Sequence, residues 1–513
     1  MQPTMLGLIV AILGLLSAPV LAAGQPASDL VARGEYLARA GDCFSCHTKA
    51  GGTPMAGGRQ IETPYGSIAS PNITPDRDTG IGTWTDANFI KLMHDGIDDS
   101  GNYVYPVMPF DHYTKVTTAD LLALKAFLFS LPPVHSPRPA SHLAFPFSVR
   151  TSLAAWRALF FTAGTYESDP ALSPAQNRGA YLVEGLGHCG ACHTPRDALS
   201  GSEHQDSLGG GEIAGQGWFA PNISSDLREG IGGWSEQQLV DYLGTGVAQG
   251  KAIAAGPMAE VVQSSLRYLT PEDLHAVAAY LKGSPGKALY AERHLVAPAG
   301  ATAYLDNCAF CHLPDGKGVA GAVPPLVGNG VVLAGGPEDL IRTILGGVPA
   351  SGPYAPMPGM ATMRSSQRIA DIANYVRTSW GNAAPTTATA GMVEDLGKKT
   401  ATMLAGTGGC DPVRPAPLAA ALARPEVVAL LRDVTADTMQ QKIAAILPLL
   451  PPASGTDGQA DLVNGLTAAY CPLVNTTPGI TGEPRVEQLQ RFAMLVYVGL
   501  SNAHAAPGVP GQD

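Results

Sequence analysis

The sequence predicts an all-α protein: three small helical domains in tandem, followed by a C-terminal helical extension. Three observations carry this. The pattern C-x-x-C-H occurs three times, as CFSCH (Cys43, Cys46, His47), CGACH (Cys189, Cys192, His193) and CAFCH (Cys308, Cys311, His312). Each copy has a helical lead-in before it and an amphipathic helix behind it. Finally, 60 Gly and 43 Pro among 513 residues favour short elements and long loops over a large sheet.

In chain order, residues 1–22 read as a signal peptide. An apolar run from Met5 to Leu16 is followed by Ser17 and Pro19, with small residues before a cut after Ala22. Met1 to Thr4 carry no Lys or Arg, and an uncleaved anchor is the alternative. No later segment reaches the roughly 18–20 apolar residues of a membrane helix, so an exported protein without multiple spans is expected. The net charge is −11 with no Lys/Arg cluster, which argues against a nucleic-acid partner.

The three Cys-His patterns have the spacing of covalent c-type haem attachment. Two thiols three positions apart add to the porphyrin's two vinyl groups, and the adjacent His presents its imidazole to the iron. A zinc site needs four N/S ligands, and each copy offers three. A thioredoxin-like redox pair does not call for the fixed His. Three covalently bound haem c groups and three cytochrome c domains are therefore expected.

The expected boundaries are 23–140 for the first domain, 141–172 for a linker, 173–288 and 289–382 for the second and third domains, and 383–513 for a linker and helical domain. The lead-ins carry Tyr36-Leu37, Tyr181-Leu182 and Tyr304-Leu305. The first two units also repeat Pro71-Asn72-Ile73 as Pro221-Asn222-Ile223, and Trp84 as Trp234. Thr85-Asp86 and Ser235-Glu236 are helix-start signals. Each unit closes with a helix, within 116–131, 269–283 and 365–380, capped by Thr118, Thr270 and Ser365 or Ser366.

Pure electron transfer needs a sixth iron ligand, and Met is the usual partner of His. Between His193 and Cys308 the sole Met is Met258. It lies 24 residues after Trp234, and 24 residues after Trp84 stands Met108. The third unit offers Met357, Met360 and Met363; Met357 is favoured because Pro follows it, as Pro follows Met108. Ligation by His94 or His112 is the alternative in the first unit. Cys410 and Cys471 lack a following His; export favours a disulfide between them, against two buried thiols.

Several segments resemble the triheme cytochrome c subunits of membrane-bound periplasmic dehydrogenases of acetic acid bacteria and their relatives. They are GGRQIETPYGSIASPNITPD (57–76), YPVMPF (105–110), FPFSVRTSLAAWRALFF (145–161), GPMAEVV (256–262) and the run 357–377. The resemblance covers roughly residues 30–385. It implies a catalytic dehydrogenase subunit of molybdopterin, PQQ or flavin type as partner, with a small third subunit also in the complex. It further implies electron delivery through three haems to ubiquinone, on the periplasmic side of the cytoplasmic membrane, with aldehyde or alcohol oxidation favoured. The extension beyond NAAPTTATAG (382–391) reads as a docking domain, with membrane or quinone contact as the alternative. No nucleophile triad or dinucleotide fingerprint is present, so the chain itself is expected to be non-catalytic. The competing readings are a multihaem peroxidase with an open iron and a free periplasmic shuttle.

Overall fold

The computed structural model describes residues 27–213, 215–287, 298–360, 365–406, 416–452, 455–475 and 483–504. The signal-peptide segment, Met363 and Cys410 lie outside them.

Each Cys-His unit is built on one helix crossing. In the first, helix Ala27–Ala40 leads into the short helix Cys43–His47 and is crossed by helix Thr118–Ser130. In the second, helix Pro174–Ala180 is crossed by Pro271–Gly283, and in the third, Gly300 and helix Ala301–Asn307 meet Ser366–Thr378. The backbones touch. A Cβ on Gly34 would lie 1.9 Å from the Ala123 carbonyl oxygen, on Gly179 2.0 Å from that of Ala276, and on Gly300 2.1 Å from that of Asp371. Only glycine permits helices to meet so closely.

The helix starts follow local chemistry. Thr270 and Ser365 cap as expected, and Thr85 and Ser235 form capping boxes with Asn88 and Gln238. The first closing helix is capped by Thr117 rather than Thr118: the Thr117 hydroxyl accepts from the Asp120 N–H at 3.2 Å, leaving Thr118 as the first helical residue. Small antiparallel ribbons accompany the helices. Gln60–Thr63 pairs with Gly66–Ala69, which also pairs with His142–Leu143. Gly211–Ile213 pairs with Trp218–Ala220. The segment following the first unit thus supplies a strand and then helix Leu153–Phe160.

The apolar residues gather into three cores. One spans the first two units, with Leu37, Leu121 and Leu124 contiguous with Leu182, Leu186 and Val277. The third unit has its own, centred on Tyr304, Ile341 and Ile369, and Val393 and Leu396 of helix Ala390–Gly406 join it. The C-terminal helices enclose Val427, Ile446, Leu466 and Phe492, with Tyr470 stacked on Phe492 at 4.4 Å. Cys471 in this region is disulfide-bonded. Among the described residues no helix is long and apolar enough to cross a membrane.

The first two units are joined reciprocally. The Tyr36 hydroxyl donates to Asp273 at 2.5 Å, and the Tyr181 hydroxyl donates to Asp120 at 2.7 Å. The Thr270 and Thr117 N–H groups donate back to these same tyrosine oxygens. Each Asp also receives its own unit's arginine, Arg33 to Asp120 and Arg178 to Asp273, both at 2.8 Å from Nε. The third unit joins differently. Asp339 accepts from the Phe219 N–H at 2.9 Å, Arg342 donates to the Gly217 carbonyl at 2.8 Å, and the Gly250 N–H donates to the Tyr354 hydroxyl at 2.9 Å. The C-terminal helices reach the third unit through Asn464, donating to the Ala350 carbonyl at 2.8 Å, and Tyr497, donating to that of Pro353 at 3.2 Å.

Candidate haem sites

The three histidines share one arrangement. His47 Nδ1 lies 2.9 Å from the Pro71 carbonyl oxygen, His193 Nδ1 2.6 Å from that of Pro221, and His312 Nδ1 3.3 Å from that of Pro324. A carbonyl only accepts, so Nδ1 carries the proton and Nε2 keeps its lone pair for a metal. Burial disfavours the imidazolium and holds all three below the ordinary histidine range, although the proline carbonyls pull the other way. Each ring is therefore neutral and oriented. The Pro-Asn-Ile repeat carried this signal for the first two units. Pro324 was missed, because the third unit has no such repeat.

Cys43, Cys46, Cys189, Cys192 and Cys308 sit in apolar surroundings, whereas Cys311 is exposed. Burial pushes the Cys43, Cys46 and Cys189 thiols up to about 12 and Cys308 up to about 11. Such surroundings suit a neutral thioether. Asp42, just before Cys43, is raised to about 7 by burial and accepts from the Ser45 hydroxyl, holding the first Cys loop.

Beside the first pair lies a cavity of about 1190 Å³ whose wall includes Cys43, Cys46, His47 and Met108, with Trp84, Phe89 and Leu124. Met93 also touches it but is 4 % exposed and belongs to the core of its helix. His94 and His112 do not line it; their ring nitrogens face the Val116 carbonyl at 2.7 Å and the Glu184 carbonyl at 2.8 Å. Met258 lies in the first turn of helix Gly256–Ser264 and packs on the same core as Trp234 and Cys189. That helix is tied to the first Cys loop: Arg59 pairs with Glu260 and donates to the Ser45 carbonyl at 2.6 Å. In the third unit, Met357 pairs its backbone with Val348 in both directions at 2.9 Å, while Met360 and Cys308 both pack on the unit's core.

Two cysteine sulfurs, a neutral imidazole with a free Nε2 and apolar walls fit a covalently held haem. The comparisons agree. The cytochrome c family model matches residues 31–132 and 297–380. The chain is 40% identical over 395 residues to the alcohol dehydrogenase (quinone) cytochrome c subunit of Gluconacetobacter polyoxogenes, covering 72% of this chain and 84% of that one. This chain belongs to the family of cytochrome c subunits of dehydrogenases. Other members include the gluconate 2-dehydrogenase cytochrome c subunit of Pantoea cypripedii, 39% identical over 434 residues (79% of this chain, 98% of that one). The fructose dehydrogenase cytochrome subunit of Gluconobacter japonicus is 39% identical over 397 residues, covering 69% and 80%. The protein is an electron-transfer subunit that carries covalently bound haem c, and substrate oxidation belongs to a dehydrogenase partner.

Proposed function

We propose that this subunit relays electrons from its catalytic partner through three haem c groups to ubiquinone, at the periplasmic face of the cytoplasmic membrane. The observation that carries the count of three is the repeated geometry of His47, His193 and His312 against Pro71, Pro221 and Pro324. When bound, each haem supplies a one-electron carrier whose potential is set by axial ligands, burial and nearby hydrogen bonds.

The chain's own residues do the rest. Cys43 and Cys46, Cys189 and Cys192, and Cys308 and Cys311 fix the porphyrin edges. His47, His193 and His312, through Nε2, and Met108, Met258 and Met357 would hold the irons. Met108 already stands in the wall of the first cavity, which favours relay over a peroxidase with an open iron. Phe310, 96 % exposed between Cys308 and the exposed Cys311, offers an apolar contact for the catalytic partner. The partner's cofactor is of molybdopterin, PQQ or flavin type, and aldehyde or alcohol oxidation is the favoured reaction. Cys410 is the proposed partner of Cys471.

Mass spectrometry of the mature chain is expected to show three added haem masses, and fewer would overturn the relay. Met258→Ala is expected to turn one haem high-spin with the other two unchanged, and an unaltered spectrum would remove Met258 as a ligand.

A further inference from the structure

Each Met-bearing segment is held from outside its own unit. Met108 closes a turn on Tyr105, whose hydroxyl donates to the Phe147 carbonyl of the connecting segment at 2.8 Å. Met258 lies on the helix whose Glu260 pairs with Arg59 of the first unit, Arg59 Nη2 donating at 2.9 Å. The third unit is followed instead by the C-terminal helices, and these take the same part.

The third unit's segment 346–360 is a loop folded back on itself. Met357 pairs with Val348, and nearer the tip Ser351 pairs with Tyr354. Gly347 has φ 74°, and a Cβ there would come within 2.4 Å of the Met357 carbonyl oxygen, so glycine is what lets the two limbs lie this close. Two C-terminal helices grip the loop. Asn464 of helix Gly455–Asn475 donates to the Ala350 carbonyl at 2.8 Å. Gln490 and Tyr497 of helix Glu483–His504 donate to the Gly346 carbonyl at 3.3 Å and the Pro353 carbonyl at 3.2 Å. Gln490 also stands against the returning limb, where a Cβ on Gly359 would lie 3.0 Å from its Nε2. Ala350, 4 % exposed, is itself part of the C-terminal core.

We infer that the C-terminal domain positions the sixth iron ligand of the third unit, with Asn464, Gln490 and Tyr497 holding the loop that carries Met357. The inference rests on the proposed reading that Met357 is that ligand. A methionine side chain turns freely about three bonds and offers a neutral, weakly basic sulfur, so its grip on iron depends on a backbone kept in place. The three bonds fall on the outgoing limb and the tip, and the pairing of Val348 with Met357 passes their hold to the returning limb. Asn464, Gln490 and Tyr497 are positioning residues: they act through the loop, not on the iron.

The test uses the intact complex, reduced and exposed to carbon monoxide, which enters a ferrous haem where the sixth ligand lets go. Met357→Ala is expected to open one haem and leave the others closed. Asn464→Ala, Gln490→Ala and Tyr497→Phe are each expected to speed carbon monoxide uptake at that same haem about fivefold, and the triple variant about a hundredfold. The midpoint potential of that haem is expected to fall in the triple variant, because methionine ligation raises it. Gln459→Ala, which removes a bond to Ser501 inside the C-terminal domain, is expected to change neither readout. Absorbance of the remaining haems identifies a variant that has not folded. If Met357→Ala opens a haem and the triple variant keeps wild-type uptake and potential, the positioning role is overturned and the ligand stands. Equal effects of Gln459→Ala and the triple variant also overturn it, because the packing of the domain would then matter rather than these three bonds. If Met357→Ala opens no haem, Met357 falls as the ligand and the positioning role falls with it.

Discussion

Tyr36 and Tyr181 each reach across to the carboxylate of the other's unit, whereas the third unit carries Thr302 at the same place after its glycine. There the lead-in tyrosine, Tyr304, spends its hydroxyl within the unit, on the Leu313 carbonyl 2.6 Å away. The first pair therefore shares one core, while the third unit keeps its own and joins through side chain-to-backbone bonds of Asp339, Arg342 and Tyr354. One helix crossing serves both arrangements. What differs is where two polar side chains are satisfied, across the joint in the first pair and within the unit in the third.

The comparison breaks most severely at the crossing glycines. Gly34→Ala and Gly300→Ala each drive a methyl into a backbone carbonyl, at an expected cost of roughly 3 kcal/mol or more. Calorimetry of the holoprotein is expected to show Gly34→Ala lowering the first two units together, and Gly300→Ala lowering the third unit's transition alone.

A smaller effect probes the joint to the third unit. Burial raises the Asp339 carboxyl from its ordinary range to about 7, with the Phe219 N–H pulling it down and Glu338 adding to the rise. Below pH 4 the carboxyl is protonated in folded and unfolded chains alike. Between about pH 4 and 7 the folded form keeps a proton that the unfolded chain has released. Stability therefore falls as pH rises through that window, and the deficit is complete above it. Asp339→Asn keeps an oxygen for Phe219 and removes the charge. It is expected to flatten this slope and stabilise the protein at pH 8 by roughly 2 kcal/mol, read from denaturant midpoints at pH 5 and pH 8.

The finest test lies in the reciprocal bonds. Tyr36→Phe leaves Asp273 with Arg178 alone and is expected to cost about 1 kcal/mol, and Tyr181→Phe the same. The double variant is expected to split the shared transition of the first two units, while Tyr304→Phe leaves it single.

Much of this architecture is legible in the sequence because it is local. The C-x-x-C-H copies, the closing helices and the caps at Thr85, Ser235 and Thr270 follow from a few neighbouring residues. The repeat Arg33-Gly34-Glu35-Tyr36-Leu37 and Arg178-Gly179-Ala180-Tyr181-Leu182 held more than its apolar stripe suggests. Its arginine serves an aspartate, its glycine a crossing and its tyrosine the other unit. Those partners lie 61 to 237 residues away, so no local pattern reveals them. The short ribbons were missed because strands of two to four residues show no alternation long enough to read. In the third unit the Met-Pro dipeptide singles out Met357, while the packing of Met360 against the unit's core is set by tertiary contact.

The reciprocal tyrosines also bear on how the protein is made. A chain synthesised from its N-terminus presents Tyr36 long before Asp273, 237 residues later, has been made. The first unit therefore stands with a half-finished surface, its Asp120 and Tyr36 still without their partners across the joint, Tyr181 and Asp273. Completion of the second unit supplies both partners at once, so growth of the chain itself imposes an order of assembly on the pair.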